Sequence, residues 1–127
     1  MGLISIDVRD RKLIYEQLVD NIKQLILQGD LKKDDVLPSV RSLARELGIN
    51  PNTIQKAYGE LERQGIIMTY VGRGSVVMTE QSDLANDRKR TLFEKVSALA
   101  EEARFLGMNA EDFTSMAAEC WEKGNAK

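Results

Sequence analysis

Within positions 52–56 stand Asn52, Thr53, Gln55 and Lys56, a set of side chains suited to the edges of nucleic-acid bases. An amide of Asn or Gln can pair with adenine through two hydrogen bonds, and a Lys ammonium can take a guanine edge or a phosphate. Upstream, Arg41 and Arg45 lie four residues apart and offer charge with a planar donor fork, the chemistry that grips phosphate. Downstream, Arg73 stands between Gly72 and Gly74, where bare backbone allows close approach and a guanidinium can enter a minor groove or hold a phosphate. The competing reading is a solvated helix side at 52–56, an i,i+4 surface pair at Arg41 and Arg45, and a plain turn residue at Arg73. Residue types alone leave 52–56 open, whereas at Arg41 phosphate contact is the preferred reading.

Other chemistries find little support. The chain has no histidine, which removes His-based acid–base catalysis, the familiar catalytic triads and the commonest metal ligand. Glu101, Glu102, Glu111, Asp112, Glu119 and Glu122 are acidic but scattered, so neither a metal nor a cofactor is expected, and the chain reads as a non-enzyme. Tyr58 falls on an apolar stripe and is assigned to the core instead of to base stacking. Arg88, Lys89 and Arg90 read as solvated charge.

The elements that must position these side chains follow from spacing. After a short alternating stretch at Leu3–Asp7, apolar residues at Tyr15, Leu18, Val19, Ile22, Leu25 and Ile26 predict a helix that stops at Gly29. Lys32 to Leu37 reads as a polar connector. Ser39 is an N-cap for a second helix with Val40, Leu43, Ala44 and Leu47 inward, closed by Gly48. Asn50 caps a third helix, Pro51 occupies its first position, and Ile54, Ala57, Tyr58 and Leu61 form its buried stripe. Two helices joined by so short a turn make a helix-turn-helix. Ile66–Val71, the Gly72-Arg73-Gly74 turn and Ser75–Met78 then predict a β-hairpin.

Beyond Gln81 the pattern becomes a long charged helix with Leu92, Val96, Leu99, Ala103 and Leu106 spaced as two heptads, too few to specify a coiled coil. Asn109, with Asp112 three residues on, caps a last helix whose apolar face holds Phe113, Met116, Ala117, Cys120 and Trp121.

The chain's 127 residues, 43% apolar and 30% charged, suit one globular domain or one plus an appendage. Its net charge of −2 conceals an asymmetry: residues 1–79 hold 11 Lys/Arg against 10 Asp/Glu, whereas 80–127 hold 7 against 10. The sign favours nucleic-acid contact in the first part, weakly. No apolar run approaches the roughly 18 residues of a membrane span and no leader pattern opens the chain. The lone Cys120 suits a reducing compartment, so a cytoplasmic protein is expected.

The string Leu37-Pro38-Ser39-Val40-Arg41-Ser42-Leu43-Ala44, then Gly48 through Tyr58, then Leu61-Glu62-Arg63-Gln64-Gly65 and Gly72-Arg73-Gly74, resembles the GntR family of bacterial transcription regulators. The order and spacing of these pieces carry the resemblance, over roughly residues 10 to 78. The Asn-Pro-Asn-Thr start, the Ala57-Tyr58 pair and a tail of two helices are similar to its YtrA-like subfamily. That resemblance implies a dimeric repressor in which Arg41, Thr53 and Arg73 touch DNA. The commoner family pattern has Ser-Arg where this chain has Asn50-Pro51, and Arg where it has Gln55, so the guanine-reading arginines of relatives do not carry over.

The expectation is therefore a mainly α protein with a small β-hairpin wing. A winged helix-turn-helix at 1–79 would bind a palindromic operator in double-stranded DNA, and a helical region at 80–127 would form a homodimer. DNA contact is assigned to Ser39, Arg41, Arg45, Asn50, Asn52, Thr53, Gln55, Lys56, Gly72, Arg73 and Gly74. Pairing is assigned to Leu92, Val96, Leu99, Ala103, Leu106, Phe113, Met116 and Trp121. Only 48 residues follow Thr79, too few to enclose a ligand pocket of about 300 Å³ within one chain, so an effector site would form between subunits. A winged helix that binds protein is the nearest rival, and an enzyme lies far behind.

Overall fold

The computed structural model describes residues 3–7 and 13–125. Five helices and one hairpin follow in the order α1 (Ile14–Gln28), α2 (Val40–Leu47), α3 (Pro51–Arg63), β1 (Ile67–Tyr70), β2 (Gly74–Val77), α4 (Gln81–Phe105) and α5 (Ala110–Asn125). They divide into two compact units, Met1–Asn86 and Asp87–Lys127.

In the first unit, Leu18, Ile22 and Ile26 of α1 meet Leu43 of α2 and Ile54 and Leu61 of α3 in one fully buried core. The apolar spacing read in each segment thus becomes a shared interior, the dominant stabilising term in a domain of this size. Tyr58 is buried there, and its hydroxyl donates to the Pro38 carbonyl at 2.7 Å, tying α3 to the entrance of α2. Burial pushes its phenol pKa upward. The alternating stretch is held against α1: the Ser5 N–H donates to Asn21 Oδ1 at 3.1 Å and the Asp7 N–H to Gln17 Oε1 at 2.7 Å.

The hairpin is antiparallel, pairing Ile67 with Val77 and Tyr70 with Gly74. Within the stretch 32–37, expected as a plain connector, residues 34–37 instead line the far edge of β2. The Leu37 N–H donates to the Ser75 carbonyl at 2.8 Å, the Val77 N–H to Asp35 O at 2.9 Å, and Val36 bridges Val76. The wing is thereby paired along both edges of β2, which satisfies backbone groups that an isolated hairpin would leave to water.

The first turn of α4 also belongs to this unit. Leu84 is buried in the core, and Gln81 Nε2 donates to the Leu27 carbonyl at 2.6 Å.

In the second unit, α5 begins with a reciprocal cap: the Asp112 N–H donates to Asn109 Oδ1 at 2.8 Å and the Asn109 N–H to Asp112 Oδ2 at 3.3 Å. Leu106, counted in the heptad seam, lies just past the end of α4, its N–H still bonded to the Glu102 carbonyl at 3.1 Å. Ala103 is the one buried apolar residue of this unit among those described, and α5 buries none.

Candidate nucleic-acid interface

Local capping sets the reading helix. At the start of α2, Ser39 Oγ accepts from the Ser42 N–H at 3.1 Å. Gly48 ends α2 in the left-handed region at φ 68°, where a side chain would be strained, and turns the chain within two residues into α3. Asn50 Oδ1 then accepts from the Asn52 N–H at 2.8 Å, with Pro51 at the first helical position. The Asn50 amide nitrogen keeps two further donors for an acceptor outside the helix.

With Ile54, Ala57, Tyr58 and Leu61 inward, Asn52, Gln55, Lys56 and Gly59 are exposed and Thr53 is half-buried. Arg41 and Arg45 are exposed on α2, and among the described residues neither has an acidic partner within ion-pair distance. Arg63, further along α3, is instead engaged: its Nε donates to Glu60 Oε2 at 2.8 Å, and this bond holds the Glu60 carboxyl below its usual range.

At the wing tip Gly72 and Gly74 adopt φ of 81° and 88°, and the Arg73 guanidinium lies 5.6 Å from the centre of the Tyr70 ring. Val71 beside them is fully exposed, at 107% of its reference area. Nothing in the sequence singles out Val71, because one apolar side chain at the end of a β-rich run looks like a strand position. Lys56 is exposed as expected, and its Nζ sits over the Tyr15 ring of α1, 4.1 Å from the ring centre.

The residues assigned to pairing lie in the second unit. Leu92, Val96, Leu99, Leu106, Met116 and Trp121 are all substantially exposed, Trp121 at 72%. Residues of α4 and α5 border an apolar groove of about 600 Å³, open to solvent, that includes Val96, Leu99, Ala103, Phe113, Met116 and Trp121. Leu92 lies outside it, whereas Met108 and Cys120, not among the pairing residues, line it. The groove is open and not an enclosed pocket: among the described residues of the unit, nothing fills the space between the two apolar faces.

Among the described residues no helix is long and apolar enough to cross a membrane, and no group of three His, Cys, Asp or Glu side chains is placed to hold a metal ion.

Residues 14–77 match the family described as bacterial regulatory proteins, gntR family. Over 110 residues the chain is 42% identical to the HTH-type transcriptional repressor YtrA of Bacillus subtilis (strain 168), covering 86% of this chain and 85% of that protein. The crystal structure of a transcriptional regulator from Oenococcus oeni superposes with a TM-score of 0.74 at 31% identity, covering 95% of this chain and 99% of the other. The DNA-binding domain of AraR in complex with operator ORE1 superposes with a TM-score of 0.50 at 29% identity, over 57% of this chain and 88% of that one.

Proposed function

The chain belongs to the gntR family of bacterial regulatory proteins, and from that premise we propose that it is a homodimeric repressor. It grips a palindromic operator through helix Asn50–Gln64 and the wing around Arg73, and blocks transcription by occupying the promoter.

One observation carries this reading. The N-terminal half of α3 presents Asn52 and Gln55 to solvent, off its buried stripe and directly after a glycine turn from α2. A helix so mounted can enter a major groove with its amides toward the base edges while the preceding helix crosses the backbone. Arg41 and Arg45 on α2 and Arg73 on the wing supply phosphate contacts. AraR, a structural relative solved on its operator, supports double-stranded DNA as the partner.

Residues 1–79 carry the DNA contacts and 80–127 the pairing, with Leu84 packing the start of α4 onto the DNA-binding part. Pairing rests on the uncovered apolar faces of α4 and α5, which a second copy would bury. Two-fold symmetry then sets two reading helices about 34 Å apart, or a multiple of that. The site of action is the cytoplasm, where its DNA target lies.

A binding titration at rising salt, run on substituted proteins, tests this. Arg41→Ala is expected to weaken binding to all sequences alike. Asn52→Ala and Gln55→Ala should each remove about 1–3 kcal/mol of discrimination at particular base pairs. Affinity that is indifferent to salt, or unchanged by Arg41→Ala, would contradict the docking.

A further inference from the structure

We propose that Tyr15 is a positioning residue for Lys56, fixing its ammonium at the α1 edge of the reading helix as a phosphate contact and not as a reader of bases. This rests on the DNA-binding reading above and narrows what one of its side chains does.

The geometry begins with α3 itself. At about 100° per residue, Gln55 and Asn52 flank one line along the helix, and Gly59 falls on that same line one turn further on. Gly59 has no atom within 4 Å of where a side chain would begin, so the helix presents there a smooth surface able to lie close to the floor of a groove. Lys56 stands about 70° to one side of this line, toward α1. The opposite side leads toward α2, where Tyr58 reaches Pro38.

A helix in the major groove turns its central line to the base edges and its flanks to the two phosphate walls. Lys56 is therefore on a wall-facing flank. Its long stem would allow it to swing inward, but its ammonium is already held over the ring of Tyr15 at 4.1 Å. Tyr15 is itself fixed, half-buried and packed against the core of the first unit. A ring face attracts the cation from one side and leaves the remaining N–H donors for an anionic oxygen on the other. Holding a flexible Lys in place before DNA arrives reduces the freedom it must lose on binding. To read a guanine edge it would first have to leave the ring.

The test uses the full-length protein, titrated onto selected and unrelated DNA duplexes at several salt concentrations. Lys56→Gln, an exposed replacement, is expected to weaken binding to both kinds of duplex by a similar factor. It should also lower the salt slope by about 0.9 for each phosphate that is no longer neutralised. The base preferences recovered from a random pool should stay as in the unsubstituted protein. Tyr15→Phe keeps the ring and should keep the affinity. Tyr15→Leu should cost roughly 2- to 5-fold, and on that background Lys56→Gln should cost less than it does alone. A change in preferred bases with Lys56→Gln would overturn the phosphate assignment. An equal Lys56→Gln cost with and without the Tyr15 ring would overturn the positioning role. Loss of salt-dependent binding by the unsubstituted protein would mark failure of the DNA-binding reading itself.

Discussion

Leu99→Glu is expected to convert the protein to a monomer and to weaken binding to a full operator by at least about 100-fold. Leu99 is 56% exposed on α4 and borders the apolar groove of the second unit. A carboxylate placed there would be stranded in any interface that buries the groove, at a cost far above that of an exposed charge. The same change costs little within one chain, because Leu99 buries little there. Affinity falls because a dimer binds its second half-site intramolecularly, an advantage that separate monomers lose. Molar mass in solution and operator affinity, measured on the same sample, check the outcome. A Leu99→Glu protein that stays dimeric would show that the groove is not the pairing surface, and a monomeric one with undiminished affinity would show that pairing does not strengthen operator binding.

Ile54→Ala is expected to cost about 2–5 kcal/mol of folding stability, a large share of the 5–15 kcal/mol typical of a small domain. Ile54 is fully buried at the start of α3, between the very residues assigned to DNA. Its truncation opens a cavity beneath the reading helix, so DNA binding should fall with the loss of folded protein and with the loosened seating of Asn52 and Gln55. Asn52→Ala makes the contrast: the residue is exposed, and apart from a backbone N–H bonded to Asn50 it has no role in the core. Denaturant unfolding of the two variants separates these effects. A stability loss below about 1 kcal/mol for Ile54→Ala would mean that α3 is not seated as described.

Much of the fold was legible in the sequence because its signals are local. The Ser39 and Asn50 caps, Pro51 at the first helical position, the Gly48 turn and the buried stripe of α3 each follow from a few neighbouring residues, and all appear in the structure. Tyr58 reads as core from its place on the stripe, although nothing local announces its bond to Pro38. What escaped notice depends on residues distant in the chain. The pairing of residues 34–37 with β2 is invisible because Lys32, Lys33, Asp34 and Asp35 look like loop, and the backbone, not the side chains, makes those bonds. Leu84 shows no sign in the sequence of joining the first unit, since a single Leu in a charged helix is ambiguous until its neighbour is known.

The candidate site divides in the same way. That positions 52–56 could face outward follows from helical period alone, whereas the turn of Lys56 toward Tyr15 depends on how α1 packs against α3. Likewise, the exposed Val71 gains interest only once the hairpin tip places it beside Arg73.

In the proposed dimer, two copies of α3 read double-stranded DNA symmetrically. Selection of bound duplexes from a random pool tests it most directly, since sequence, symmetry and half-site spacing emerge together. The expected result is an enriched inverted repeat with half-site centres about 10 base pairs, or a multiple, apart. A pool that shows no enrichment, or a single unrepeated site, would contradict it.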